Sequence, residues 1–302
     1  MNPYEASERL QGRFHCTPIL TCGALDAWAG RSLALKCENF QKAGSFKIRG
    51  ASNALSKLPS GTQHVITASS GNYGQALALA ARDARMQCTV VVPSDAPAVK
   101  MAAMRGYGAT LVLCEPTLAG RASTLAEQVD ATGATWLPSF DHPDVIEGQG
   151  TVAVELLQQV PGLDAIVAPI GGGGLIGGIA LACRDTGVRV FAGEPFGADD
   201  AWRSKDSGVR VEEPNPKTVA GGLLVSIGEH NWPILRDHVE AVIRVTEEEI
   251  LEAMKLCWER AKLVIEPSSA VALAAARKLP TECEDVGVVL SGGNVDLGKL
   301  PF

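Results

Sequence analysis

The sequence predicts an α/β protein whose parallel sheets are flanked by helices. Three observations lead there. Short apolar runs rich in Val, Ile and Ala recur along the chain, and most are followed by a segment of helical period. The runs are nearly continuous rather than alternating, as strands buried on both faces must be. The length of 302 residues exceeds one small core and fits two domains or one large α/β unit.

In chain order, strands are expected at 65–68, 88–92, 110–114, 165–170, 188–193, 241–245 and 286–290. Helices are expected over 74–86, 97–105, 118–132, 147–160, 175–185 and 247–263. Thr246 and Glu249 form a capping box that starts the last of these, each side chain satisfying an orphan amide. The stretch 195–216 is polar, proline-bearing and weakly periodic, and is expected to be a long surface excursion.

Composition narrows the function. Hydrophobic residues make up 46% and charged residues 20%, an ordinary soluble balance. A net charge of −7 argues against a nucleic-acid partner. The N-terminal residues show no basic stretch leading into an apolar run, so no signal peptide is expected. The most apolar stretch, 165–183, is broken by Pro169 and six glycines and makes a poor membrane span. Eight cysteines without a C-x-x-C pair read as free thiols in a reducing, cytoplasmic setting. Five histidines show no zinc-ligand spacing.

Four segments carry chemistry. In Gly44-Ser45-Phe46-Lys47-Ile48-Arg49-Gly50, a lysine lies between two apolar side chains. An ammonium that loses solvation there has a lowered pKa, and the neutral amine can form a Schiff base or act as a base. The run from Gly171 to Gly178 follows a strand and opens a helix, so its backbone amides and the helix end suit a phosphate. Gly172, Gly174 and Gly177, with Glu194 closing the next strand 20 residues past Gly174, also satisfy a dinucleotide pattern. A dinucleotide-dependent oxidoreductase is therefore a rival reading. Thr67 to Gly74 crowds hydroxyls and an amide side chain at a helix start, which suits a carboxylate and a ring oxygen. Ser291, in Ser291-Gly292-Gly293-Asn294-Val295-Asp296, sits at a strand's C-terminal end, where α/β sheets bind ligands.

The motifs S-F-K-I-R-G-A, S-S-G-N-x-G-Q-A, G-G-G-G-x-x-x-G-I-A and S-G-G-N-V-D-L, in that order, resemble the fold-type II pyridoxal-phosphate enzymes, the tryptophan synthase β-like fold. The likeness is greatest to the serine racemase and serine/threonine dehydratase branch and runs from about 17 to 297. It implies a large cofactor-binding domain of residues 1–63 and 142–302 and a small mobile domain of 64–141. It implies that Lys47 carries pyridoxal 5'-phosphate, that Phe46 and Asn72 contact its ring, that Gly171, Gly172, Gly173 and Gly174 hold its phosphate, and that Ser291 bonds its pyridine nitrogen. A serine at that nitrogen suits β-elimination and proton exchange. Ser70 resembles the second acid/base of the racemases, on the ring face opposite Lys47. Ser69, Ser70, Asn72, Tyr73 and Arg121 would contact the substrate, with Arg121 taking a carboxylate.

Glu194, the Ala198 carbonyl and Asp200 resemble a divalent-cation loop, whose oxygen ligands fit Mg²⁺, Ca²⁺ or Mn²⁺. Two positions depart from the branch: Tyr73 replaces its usual histidine, and Val225 replaces a polar residue. A more apolar β-substituent, as in threonine, becomes a candidate. The racemases' nucleotide-effector site is partly matched by Lys42, Gln75, Tyr107, Lys262 and Asn294, while Ala43 replaces a hydroxyl residue there. The resemblance implies a serine/threonine ammonia-lyase with racemase activity on serine, acting on a small β-hydroxy amino acid as a homodimer. A hydroxyaspartate ammonia-lyase and a dedicated serine or aspartate racemase are the alternatives within the fold.

Overall fold

The apolar runs become the strands of two separate sheets. In the computed structural model, which describes residues 1–302, the chain opens with α1 (Pro3–Arg9), β1 (Ile19–Leu20), α2 (Gly23–Ala29) and β2 (Ser32–Cys37). Helix α3 (Lys47–Ser56) follows. Next come β3 (His64–Ala68), α4 (Asn72–Asp83), β4 (Gln87–Pro93), α5 (Ala98–Gly106), β5 (Thr110–Cys114), α6 (Leu118–Thr132) and β6 (Thr135–Trp136). The return runs through α7 (Pro143–Gln149), α8 (Thr151–Gln159), β7 (Ala165–Pro169), α9 (Gly174–Cys183), β8 (Arg189–Pro195) and α10 (Asp200–Ser207). It ends with α11 (Asn231–His238), β9 (Ala241–Val245), α12 (Glu247–Leu256), α13 (Pro267–Ala276) and β10 (Asp285–Leu290).

The small sheet has the order β5-β4-β3-β6 and is wholly parallel. The large sheet has the order β1-β2-β10-β7-β8-β9, parallel except for the short antiparallel β1. Strand β10 pairs with β2 on one side and β7 on the other, with Val288 opposite Leu35 and Val167. The large sheet therefore forms only once the beginning, middle and end of the chain meet, and the small sheet is one continuous excursion from it. Helix α3 packs against both α4 and α7, between the two.

Three sequence expectations need correction. The helix expected over 147–160 is two helices meeting at Gly150, where a Cβ would strike the ring of Pro3 and the backbone of Gly178. The helix expected over 247–263 ends at Leu256 and continues as a π-helical turn over Cys257–Ala261, closed by Lys262 at φ +59°. The excursion expected over 195–216 contains α10, whose Asp200, Ala201 and Ser204 are buried. A buried aspartate and serine hid the apolar face of that short helix. Strand β2 and helix α13 escaped notice for related reasons: β2 buries a lysine at Lys36, and α13 is buried on every side from Ser268 to Ala276, so no period shows.

Candidate active site

Loops from both sheets leave the C-terminal ends of parallel strands and face one another. Ser69 follows β3, Gly171 follows β7 and Ser291 follows β10. With the start of α3 they enclose a cavity of about 500 Å³. Phe46, Lys47, Ser69, Ser70, Asn72, Tyr73, Arg121, Gly171, Gly172, Gly173, Gly174 and Ser291 all line it. Glu194, Ala198 and Asp200 lie outside it.

Lys47 opens α3, and Arg49, two residues on, fixes the pose of that helix. The Arg49 guanidinium is fully buried. It donates twice to Glu38 at 2.7 Å, twice to Glu155 at 2.8 Å and once to Thr151 at 3.1 Å. Lys36 adds a bond to Glu155 at 2.7 Å, and Thr17 one to Glu38 at 2.6 Å. Two cations thus meet two carboxylates with their hydrogen-bonding capacity largely used. The Lys47 ammonium donates to Ser139 O at 3.2 Å and lies 4.9 Å from the Phe46 ring centre and 5.9 Å from that of Tyr73. Burial lowers its pKa to about 8, with Glu266 acting the other way. More of the amine is therefore neutral at neutral pH than for a solvated lysine, though the ammonium still predominates.

The glycine loop is shaped by its neighbours. Gly173 adopts φ +93°, and a Cβ on it would strike Ile227 and Asn231. A Cβ on Gly172 would overlap the Phe140 ring, and one on Gly171 would stand 2.9 Å from Leu223 Cα. The loop is thus pressed from behind and bare in front, beside the partnerless first amides of α9.

At the start of α4, the Ser69 hydroxyl accepts from the amides of Gly71 at 3.2 Å and Gly74 at 3.0 Å, so it caps the helix while keeping its own proton to donate. Ser70 is half-buried on the cavity wall. Tyr73 is buried, and its hydroxyl has no partner. Ser291 Oγ lies 3.2 Å from Ser269 Oγ, whose own bonds go to Gly292. The amide of Phe46 donates to Ser291 O at 3.0 Å, tying the lysine segment to the end of β10.

Three charged cavity residues, Asp95, Lys100 and Glu266, escaped sequence reasoning. Glu266, just before α13, is buried and bonded to Asn72. Lys100, in α5, lines the cavity and forms no ion pair; neither does Arg121, whose Nε is buried without a partner. Neither Glu266 nor Lys100 belongs to a motif.

Glu194 and Asp200 form a second polar centre beside β8. Glu194 accepts from the amides of Ala201 and Trp202 at 2.9 and 2.8 Å, and Asp200 accepts from Ile227 N at 2.8 Å. Both carboxyls are pushed up by burial, Asp200 to about 6 and Glu194 well above its usual range, with Asp200 adding to the effect on Glu194. No helix of the protein is long and apolar enough to cross a membrane.

A half-buried amine and a bare glycine loop lining one cavity suit a cofactor that carries an aldehyde and a phosphate. Tyr73 and Arg121 leave orphaned polar atoms around the same space, and Ser291 offers a neutral partner for a ring nitrogen. The residues present fit pyridoxal phosphate. The chain belongs to the pyridoxal-phosphate dependent enzyme family, whose sequence model matches residues 11–292. It is 45% identical to serine racemase of Dictyostelium discoideum, over 98% of this chain and 94% of that protein. It is 44% identical to β-hydroxyaspartate dehydratase of Paracoccus denitrificans (strain Pd 1222), over 98% of this chain and 96% of that one. The crystal structure of T.th. threonine deaminase superposes with a TM-score of 0.93 at 39% identity, covering 98% of each chain. Within fold type II the chain falls in the branch of the serine racemases and dehydratases. The dinucleotide reading has no place in that family.

Proposed function

We propose that this enzyme is a serine/threonine ammonia-lyase that converts a small β-hydroxy amino acid to a keto acid and ammonia, and that it also racemises serine. The observation that carries this reading is the convergence of Lys47, with its lowered pKa, and Ser70 on one cavity closed by the glycine loop. The chemistry the cofactor supplies when bound is electron withdrawal from the substrate's Cα. Lys47 Nζ takes the Cα proton from one side, and Ser70 Oγ delivers or takes one on the other. Racemisation needs both groups. Elimination needs one, plus a proton for the departing hydroxyl. Gly171 to Gly174 and the α9 terminus would hold the phosphate, Phe46 would pack on the ring, Asn72 would donate to the ring oxygen, and Ser291 would meet the ring nitrogen without strongly favouring its protonated form. The amides and hydroxyls of Ser69, Ser70 and Asn72 hold the substrate carboxylate with Arg121, and Tyr73 borders the β-substituent.

A second reading is favoured by one observation. Lys100 and Arg121 both line the cavity and neither forms a salt bridge, although Asp95 and Glu266 line it too and Lys100 favours the ionised form of Glu266; a substrate with two carboxylates would engage both cations. Hydroxyaspartate elimination, or racemisation of aspartate, follows from that charge. Rates with L-serine, L-threonine and hydroxyaspartate, with chiral analysis of the remaining substrate, separate the two readings.

Lys47→Ala should remove the visible absorbance of the purified protein and all turnover. Ser70→Ala should abolish racemisation while elimination of one enantiomer survives. Normal racemisation by Ser70→Ala would overturn the two-base assignment.

The large domain is taken as 1–63 with 142–302 and the small mobile domain as 64–141, each with its own sheet. A divalent cation (Mg²⁺, Ca²⁺ or Mn²⁺) would be held by Glu194, Asp200 and the Ala198 carbonyl; two buried carboxyls without a cationic side chain in an ion pair support this. A nucleotide effector would use Lys42, Gln75, Tyr107, Lys262 and Asn294, and unchanged turnover with added Mg-ATP would count against it. Free thiols support a cytoplasmic location, and the family resemblance supports a homodimer.

A further inference from the structure

Glu266 carries a carboxylate that none of the motifs accounts for. It precedes Pro267 at the start of α13 and is 5% exposed. Its amide is fixed by Gly292 O at 3.0 Å, and its carbonyl accepts from Ser269 N at 2.9 Å. The side chain does not cap its own helix. It reaches across the cavity to the start of α4, where Asn72 Nδ2 donates to Oε1 at 2.6 Å. Gly292 makes the room: a Cβ there would stand 2.6 Å from that oxygen.

The far side of the Asn72 amide is held as well. Its Oδ1 accepts from Asn294 Nδ2 at 3.0 Å, and Asn294 Nδ2 also donates to Ala43 O at 2.8 Å. An asparagine amide has two N–H donors and one carbonyl oxygen. Here the oxygen and one N–H are engaged by residues from the other side of the cavity. A flipped amide would set its oxygen against the Glu266 carboxylate and its NH₂ against the Asn294 NH₂. Both contacts would become repulsive, so the orientation is determined. One N–H remains for a ligand in the cavity, and the carboxylate on its twin polarises it.

We propose that Glu266 is a positioning residue, which holds Asn72 in the one orientation that presents its remaining N–H to the cofactor's ring oxygen, with Asn294 as the second clamp. This rests on the reading that pyridoxal phosphate binds in the cavity with Asn72 at its ring. The carboxylate of Glu266 is buried in the cavity wall. Burial pushes its pKa up, whereas Lys100, the Asn72 bond and Lys47 act to keep it ionised.

The test is the dissociation constant of pyridoxal phosphate, measured by equilibrium dialysis, with the visible spectrum of each loaded protein. Wild type, Glu266→Ala, Glu266→Gln, Asn72→Ala and the Asn72→Ala/Glu266→Ala double variant are compared. Glu266→Ala should weaken cofactor binding about tenfold, the scale of one charge-assisted hydrogen bond, and shift the visible band. In the Asn72→Ala background the same change should have little further effect. Glu266→Gln keeps an oxygen that accepts from Asn72 and should retain most of the affinity.

The proposal is overturned if Glu266→Ala binds and absorbs as wild type, or if its effect persists undiminished without Asn72. Should Glu266→Ala fail to fold, Glu266→Gln decides: a loss as large as that of Asn72→Ala would show that charge, rather than positioning, is what Glu266 supplies. A wild-type protein that takes up no pyridoxal phosphate would overturn the cofactor reading itself, and this inference with it.

Discussion

The two parallel sheets share one strand chemistry but are covered unequally. Every residue of β7 is buried, and the helices on the large sheet enclose clusters of 29 and 26 buried apolar residues. On the small sheet, α4 buries one face well, in a cluster of 20 residues that α3 shares. The other face carries only Ile66, Val91, Cys114 and Ala134 as its buried cluster. Helix α6, fifteen residues long, has no buried residue at all. Local opening costs least where little apolar surface is buried. The heavily packed half holds the glycine loop, Ser291 and Glu266. The lightly packed half presents Ser70, Lys100 and Arg121. The difference places most of the groups that hold a cofactor, Asn72 excepted, on the heavily packed half, and those that meet a substrate where movement costs less.

The largest test of this contrast is Arg49→Ala. It would leave Glu38 and Glu155 buried without their guanidinium, and should cost about 3–5 kcal/mol in urea unfolding. A loss under about 1 kcal/mol would mean that the network does not hold α3. Next is a matched pair. Ile166→Ala, at the centre of the large sheet, should cost about 2–5 kcal/mol. Leu125→Ala, on partly buried α6, should cost under about 1 kcal/mol. Equal losses would break the comparison.

The last test concerns the Glu194–Asp200 pair of the heavy half. A carboxyl whose folded pKa is raised binds its proton more tightly when folded. Its stability contribution is therefore present at low pH and is lost as pH rises through about 6, the Asp200 value. A cation held there, as proposed, would replace that proton. Added Mg²⁺ or Mn²⁺ should stabilise the fold above about pH 6 by about 2–3 kcal/mol at a hundredfold excess over Kd, seen as a higher Tm, and much less below it. Thermal melts at both pH values check this, and a cation effect that is larger in acid would sink the assignment.

Much of the strand pattern of both sheets was legible because buried parallel strands are apolar along their whole length. Helix 118–132 was legible too, but the lightness of its packing was not. Leu118, Leu125 and Val129 have the spacing of a core-facing stripe, yet Leu118 is 73% exposed. Lys47 was legible through its apolar neighbours and the glycine loop through its four consecutive glycines. Glu266 and Lys100 had no such signal, because a lone charge in a sequence looks the same whether it is solvated or aimed into a cavity.

The sequence by itself determined the local chemistry: where the chain must turn, which backbone is bare enough for a phosphate, and which lysine loses its water. These follow from a few adjacent residues. Which charges meet was decided only by the tertiary structure. Glu266 lies 194 positions from Asn72, and Asn294 lies 222 from it. The small sheet had to be inserted after β2, and β10 had to return between β2 and β7, before those side chains could share one cavity. Hydrogen bonds and ion pairs act over a few ångströms of space, and the spacing along the chain carries no record of them.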